Sequence, residues 1–234
     1  MKTAIVTGGA KRLGSVIAKF LAGRGYQIAL HYRTSEPAET SQSILDMGGV
    51  CQAFQADLAS DLGPELLINR VMDAFSHIDV LVNCASIFEP GSIRETDSDL
   101  FDRHMRINFR APFMLSRSLA VRCQSGHIIN IIDAKINRNI HTHAIYILTK
   151  KMLYEFTKMA AIEFSPHFRV NAVAPGAILP PPGKDEAYLK QRAADAPLNK
   201  TGTPDDIVRA IGYLLDNDFI TGECLNIDGG VHLK

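Results

Sequence analysis

The sequence predicts an α/β fold in which one mostly parallel sheet carries helices on both faces. Three observations lead there. Seven short aliphatic or β-branched runs recur along the chain, nearly all of them are separated by segments whose apolar residues repeat at helical spacing, and no linker, repeat or low-complexity stretch divides the 234 residues. Such alternation makes a parallel sheet, because each helical crossover returns the chain to start the next strand in the same direction. A single domain over residues 1–234 is the expected organisation.

The elements follow in order. Residues 3–6 form the first strand, and the helix after it presents Leu13, Ile17, Phe20 and Leu21 on one face before Gly23 and Gly25 close it. A second strand, 28–32, leads through a loop at Thr34, Ser35, Glu36 and Pro37 into a helix that Gly48 and Gly49 should end. The pattern then repeats with strand 51–55, helix 64–76, strand 78–82, a long helical stretch 97–122 and strand 127–132. The last third supplies helix 144–164, strand 169–174, helix 204–216 and strand 223–227. Residues 175–183 are the exception: Pro180, Pro181 and Pro182 exclude regular helix and central strand there. A non-helical stretch just past a strand's C-terminal end is where such folds build a lid.

Composition excludes several classes. With 25 basic and 25 acidic residues the chain is neutral, and it lacks the basic excess of a nucleic-acid binder. At 46% hydrophobic residues it can bury a core, which argues against disorder. No apolar run reaches the roughly 18 residues that span a bilayer. The first strand starts two residues after Met1, which leaves no room for a targeting segment before it. The four cysteines, Cys51, Cys84, Cys123 and Cys224, are too scattered for a metal cage or a disulfide scaffold. They read as buried thiols of a reducing, cytoplasmic compartment.

One end of the expected sheet carries a nucleotide fingerprint. Between the first strand and helix lies Thr-Gly-Gly-Ala-Lys-Arg-Leu-Gly, residues 7–14, in the strand–turn–helix context that a Rossmann-like dinucleotide site requires. Gly8 permits the tight turn, Gly14 lets the helix pack closely, and the helix N-terminus at Lys11, Arg12 and Leu13 faces a pyrophosphate. The middle glycine of the usual pattern is Arg12 here. At the end of the second strand an NAD site would place an acid, but the chain reads His31, Tyr32, Arg33, Thr34, Ser35. Arg33 with two hydroxyls suits a 2′-phosphate, so the expected cofactor is NADPH. Asp57 and Leu58, closing the third strand, are expected cofactor contacts, with Asp57 placed either to meet the adenine or to serve as a helix cap or loop residue.

The other end carries chemistry. Tyr146 and Lys150 are four apart and share a helix face. A phenol near pKa 10 is a weak acid–base group at neutral pH, and an adjacent ammonium is expected to lower it. Asn108 lies within the long helix without a propensity reason, and Asp133 follows the fifth strand at the carboxyl edge, where such sheets bind ligands. His141 and His143, just before the Tyr146 helix, have no third ligand nearby and read as loop or interface residues rather than a metal site.

Residues 7–14, Asn83-Cys84-Ala85-Ser86, Asn108, Tyr146 with Lys150, Pro175-Gly176 and Asp228-Gly229-Gly230 occur in the order seen in the short-chain dehydrogenase/reductase family, and the resemblance covers essentially the whole chain. It implies that Tyr146 donates the proton, that Lys150 binds the nicotinamide ribose and lowers the Tyr146 pKa, and that Asn108 holds a water in the proton relay. It also implies cofactor contacts at Asn83, Ala85, Ser86, Pro175 and Gly176, and a homotetramer. Three departures narrow it. Asp133 stands where the family usually has Ser, 13 residues before the Tyr; Arg12 replaces a fingerprint glycine; and Ser86 ends the Asn-Cys-Ala-Ser run. Together these resemble the pteridine reductases and bacterial dihydromonapterin reductases.

Physical chemistry agrees with a flat, polar heterocycle as substrate. Phe88 can sandwich it against the nicotinamide, while Arg12, Ser86, Asp133 and Tyr146 meet its N/O edge. Reducing a C=N bond needs a hydride at carbon and a proton at nitrogen, which Tyr146 or Asp133 can deliver. A carboxylate suits a ketone less well, since it repels the developing oxyanion. Plainer readings stay open here: Phe88 as loop packing, Asp133 as a cap, Arg12 as a phosphate ligand only. Two rival functions also stay open. A β-ketoacyl carrier-protein reductase predicts Ser at 133 and Gly at 12, and a non-catalytic NADPH sensor need not keep Asn108, Tyr146 and Lys150 together.

Overall fold

A computed structural model describes residues 1–181 and 183–234. Seven strands, β1 (Thr3–Val6), β2 (Gln27–Tyr32), β3 (Cys51–Gln55), β4 (Val80–Asn83), β5 (Gly126–Ile131), β6 (Phe168–Pro175) and β7 (Cys224–Ile227), form one sheet in the order β3-β2-β1-β4-β5-β6-β7. Every pairing in it is parallel. The strand order reverses beside β1, where β2 lies on one side and β4 on the other, and ligands bind above the carboxyl ends at such a switch point.

Alternation along the strands divides the core in two. Ile5, Ala29, Leu81 and Ile128 face a layer built from α3 (Gly63–Phe75), α5 (Ala111–Arg122) and α6 (Ala144–Glu163). Ala4, Val6, Leu30 and Val82 face the opposite layer of α1 (Arg12–Gly23), α2 (Ala38–Asp46) and α8 (Pro204–Asp216). Both faces are buried, which explains why the central strands read as continuous apolar runs rather than alternating ones. Each fully buried Ile or Leu contributes about 1.5–3 kcal/mol.

Two local features depart from the expected pattern. The long helical stretch is α4 (Ser98–His104), a π-helical turn over Met105–Arg110, and then α5, with Asp97 capping the start through Leu100 N–H at 2.8 Å. Beyond β6 the chain is irregular through Pro181, as the proline run requires, while Pro182 of that run lies outside the described residues. The expected lid then continues into a helix that periodicity does not reveal, α7 (Glu186–Ala193), capped by Asp185. No residue of α7 is buried, so it carries no apolar stripe. Among the described residues no helix is long and apolar enough to cross a membrane.

Candidate active site

The β1–α1 turn is shaped by backbone contacts that exclude side chains. Gly8 has φ +66°, and a Cβ there would lie 3.1 Å from Ala85 Cα; a Cβ on Gly14 would lie 2.2 Å from the Gly8 carbonyl oxygen. Thr7 Oγ1 accepts hydrogen bonds from the Cys84 and Ala85 N–H groups at 2.9 and 3.0 Å, tying this turn to the end of β4. His31, 3% exposed at the end of β2, accepts the Gly8 N–H on Nδ1 at 3.0 Å and donates from Nε2 to the Ala56 carbonyl at 3.1 Å. This fixes its neutral tautomer, and burial lowers its pKa to about 4. No side chain caps α1 and no acid sits in its first turn, so its N-terminus keeps its capacity for an anion.

Above this turn runs a cleft of about 520 Å³. Its walls take in Gly8, Lys11, Arg12, Leu13, His31, Tyr32, Arg33, Thr34, Ser35, Asp57 and Leu58 at one end, and Ala85, Ser86, Phe88, Asp133, Tyr146, Lys150, Pro175 and Gly176 towards the other. A glycine cradle that a Cβ would fill, an uncapped helix end and the Arg33-Thr34-Ser35 donor set together fit a dinucleotide with a 2′-phosphate. Arg12 departs from glycine in composition only: its φ is +53°, the left-handed region that usually favours glycine. Its guanidinium crosses the cleft to donate to the Pro180 carbonyl at 2.6 Å, so the phosphate turn touches the lid.

At the chemical end Tyr146 donates its phenolic hydrogen to Asp133 Oδ2 at 2.9 Å, and Asp133 Oδ1 accepts the Lys135 N–H at 2.8 Å. Lys150 is 3% exposed; its ammonium donates to the Ile131 carbonyl at 2.9 Å, and burial brings its pKa down to about 8. The expectation that Lys150 lowers the Tyr146 pKa does not hold here. Burial first, and then the Asp133 carboxylate, raise it well above its ordinary value. Asp133, the change from the usual neutral Ser, thus adds to burial in keeping the proton on Tyr146.

Other assignments also change. Asn83 does not line the cleft: it is 3% exposed, on the Leu81 side of β4, and its amide donates to Asn130 Oδ1 at 2.8 Å and to Ser116. It braces β4 against β5 and α5, away from the cleft. Gly14, expected to let the helix pack closely, lies off the cleft wall and acts through shape, as the clash above requires. Asn108 has both amide functions committed to protein groups, since Oδ1 accepts from Ser86 Oγ and Ile87 N–H at 3.0 and 2.9 Å, and Nδ2 donates to Ile87 O and Thr149. Its side chain positions the 86–87 loop. Asp57 accepts the Ala59 N–H at 2.9 Å, a cap that leaves it on the cleft wall.

His143, read from sequence as a loop or interface residue, stands against the site. Its ring stacks on Phe88 at 4.3 Å and 8°, and Phe88 meets Tyr146 edge-on at 4.7 Å. The Gly91–His143 bridge brings these segments together, a tertiary contact with no local signal. Phe88 remains 39% exposed and borders the cleft. Cys84 also lines it, with a thiol that burial pushes up to about 11 and so keeps protonated. Among the described residues no group of three or more His, Cys, Asp or Glu is placed to hold a metal.

Beyond Tyr146 the cleft opens into a second chamber of about 650 Å³. Every residue expected to meet the substrate, Arg12, Ser86, Phe88, Asp133 and Tyr146, lines both spaces. The far wall comes from a 3₁₀ turn (Ala134–Asn137) with its flanking Arg138, from α7 and from the C-terminal segment at Val231.

Comparisons with known proteins agree with this geometry. A family model described as enoyl-(acyl carrier protein) reductase matches residues 8–232. The structure of FolM alternative dihydrofolate reductase 1 from Brucella suis in complex with NADP superposes with a TM-score of 0.94 at 32% identity, covering 100% of this chain and 96% of that one. A short-chain dehydrogenase/reductase from Serratia marcescens follows at TM-score 0.92 and 30% identity, covering 99% and 98%. The dihydromonapterin reductase of Klebsiella pneumoniae is 29% identical over 236 residues, 98% of this chain and 96% of that protein. With the glycine cradle, the Arg33 corner and the Tyr146–Lys150 pair in one cleft, the chain belongs to the short-chain dehydrogenase/reductase family and is an NADPH-dependent oxidoreductase.

Proposed function

We propose that this enzyme reduces pterins, adding hydride to the carbon and a proton to the nitrogen of a C=N bond. The observation that carries the reading is the Tyr146–Asp133 hydrogen bond of 2.9 Å beside the partly exposed Phe88 ring. NADPH supplies the hydride when bound, and Gly8, Lys11, Arg12, Arg33, Thr34 and Ser35 are the residues to hold its phosphates, with Lys150 for the ribose. Phe88 offers a face for a flat heterocycle, backed by His143.

Proton delivery balances within the pair. Asp133 takes a proton from solvent and passes it to the Tyr146 oxygen as Tyr146 gives its own to the substrate nitrogen; both side chains return to their starting state. A substrate nitrogen becoming N–H gains from a neighbouring acid, whereas a ketone oxygen gathering negative charge is opposed by the Asp133 carboxylate. The dihydromonapterin reductase and FolM relatives support the same substrate class. Exposed Leu148, Met152, Met159 and Ile162 on α6 support the homo-oligomer that the family resemblance implies, which sedimentation velocity tests.

The test follows NADPH consumption with dihydrobiopterin, dihydromonapterin, dihydrofolate and a β-ketoacyl thioester side by side. Turnover of the pterins is expected. Turnover of the thioester alone would overturn the proposal.

A further inference from the structure

The second chamber extends well past the groups that a bicyclic pterin head would occupy. Its volume of about 650 Å³ falls within the roughly 300–1,000 Å³ of sites that enclose a drug-sized ligand. Its far wall is also unusually cationic. Lys135, Arg138 and Arg192 line it in addition to Lys11 and Arg12 of the β1–α1 turn, and the acids are Glu89, Asp133 and Asp195. Glu89 is held by Arg103 at 2.8 Å and Asp133 by Tyr146, so Asp195, 3.1 Å from Arg192, is the acid left to balance three cations.

The guanidinium groups are only partly used. Arg138 donates through one terminal nitrogen to the Val231 carbonyl at 2.7 Å, and Arg192 pairs with Asp195 at a half-exposed position. In both residues Nε is buried without a hydrogen-bond partner, an arrangement that costs free energy unless something supplies an acceptor. Tyr188 lies one turn before Arg192 on α7 and lines the same chamber, with the guanidinium carbon 5.6 Å from its ring centroid. An aromatic ring beside two under-used guanidinium groups suits a ligand with a planar linker ending in carboxylate, which a guanidinium fork binds in bidentate fashion.

Resting on the pterin reading above, we infer that Arg138 and Arg192, with Lys135 and Tyr188, form a subsite for a carboxylate-bearing tail on the pterin. The favoured substrate is therefore a folate-type dihydropterin with an acidic substituent rather than a pterin with a short neutral side chain. The tail subsite acts in binding: its guanidinium groups bond Val231 and Asp195 rather than the Tyr146–Asp133 pair, and it lowers KM without entering the proton transfer.

The test measures kcat and KM for dihydrofolate and dihydrobiopterin in the unaltered enzyme and in Arg138→Gln, Arg192→Gln and the double variant. For dihydrofolate, KM is expected to rise about tenfold in each single variant and further in the double, with kcat changed much less. For dihydrobiopterin the rise is expected to be several times smaller, so the preference between the two substrates falls. Arg192→Gln guards against a folding artefact, because Arg138 also anchors the C-terminal segment whereas Arg192 forms an ion pair with the half-exposed side chain of Asp195 on the same short segment. Equal KM changes for both substrates, or none, with dihydrobiopterin still turned over, would overturn the tail subsite and leave the pterin reading standing. No turnover of either pterin by the unaltered enzyme would overturn both.

Discussion

Acid should loosen the nucleotide turn through one buried imidazole. His31 is neutral in the fold because burial outweighs the Ala56 carbonyl and the Asp57 charge, which both favour protonation, and its pKa falls from 6.5 to about 4. A histidine with a lowered folded-state pKa contributes stability that is complete above about pH 6.5 and is lost as pH falls towards 4, because the unfolded chain takes up the proton first. A difference of about 2.5 units corresponds to about 3 kcal/mol when fully expressed. By pH 5 the loss is already about 2 kcal/mol. The group is 3% exposed, so solvent screening does not reduce this figure.

The perturbation that isolates this contribution is His31→Asn, which keeps a carbonyl oxygen for the Gly8 N–H and removes the titration. Urea unfolding at pH 7.5 and pH 5.0 is the assay. His127, whose pKa burial and Arg169 lower to about 3, and the carboxylates titrate alike in both proteins and cancel. The unaltered protein is expected to lose about 2 kcal/mol more than the variant over that interval, a midpoint difference of about 0.7 M for an m-value near 3 kcal/mol/M. NADP+ affinity should fall with pH more steeply in the unaltered protein, because a protonated His31 cannot accept the Gly8 N–H. Equal pH losses in the two proteins would refute the argument that His31 is held neutral by its place under the turn.

Three further changes separate cofactor, proton and shape. Asp133→Asn keeps the volume of the side chain and removes its proton chemistry, so kcat for pterins should drop about 100-fold or more while the NADPH dissociation constant moves little; parallel losses in both would make Asp133 structural. Arg33→Ala should weaken NADPH by about 10- to 100-fold, as expected for a lost charge-assisted pair, and leave NADH almost unaffected, a split that initial-rate kinetics with each cofactor reads directly. Gly14→Ala places a Cβ 2.2 Å from the Gly8 oxygen and should cost at least about 2 kcal/mol by thermal or urea unfolding; an unchanged midpoint would show that the turn can shift to accept it.

What could be read from the sequence depended on whether the signal was local. Strand and helix identity was legible because both faces of the sheet are covered, so β1 and β4 are buried at every position and apolar at all but Thr3 and Asn83, and the helices show their stripes. α7 was not, since it buries nothing and follows three prolines; its capping residue, Asp185, was the one available sign. The position of Asn83 was recoverable and was missed. Strand alternation places it on the same side as Leu81, towards Asn130 and Ser116, and family resemblance overrode that count. The stack of His143 on Phe88 had no such clue, because it depends on Gly91 meeting the start of α6.

Asp133 marks the boundary between what identity and what geometry can tell. A carboxylate 13 residues before the tyrosine was visible as a departure, and it directed attention to a C=N bond rather than a ketone. The sign of its effect on Tyr146 was not visible, because that sign depends on burial and on a 2.9 Å contact competing with an ammonium whose own hydrogen bond goes to the Ile131 carbonyl. The Tyr–Lys spacing taken alone implies a phenol made more acidic. With Asp133 in place the phenol is less acidic than usual, and the proton it shares with the carboxylate becomes the one available to the substrate. Reduction draws on the protonated phenol, so its rate should persist to higher pH than with a phenol acidified by an ammonium alone, and fall only when the Tyr146–Asp133 pair loses that proton. A pH–rate profile for pterin reduction that already falls near neutral pH would show that the Lys150 ammonium, and not Asp133, sets the acidity of Tyr146.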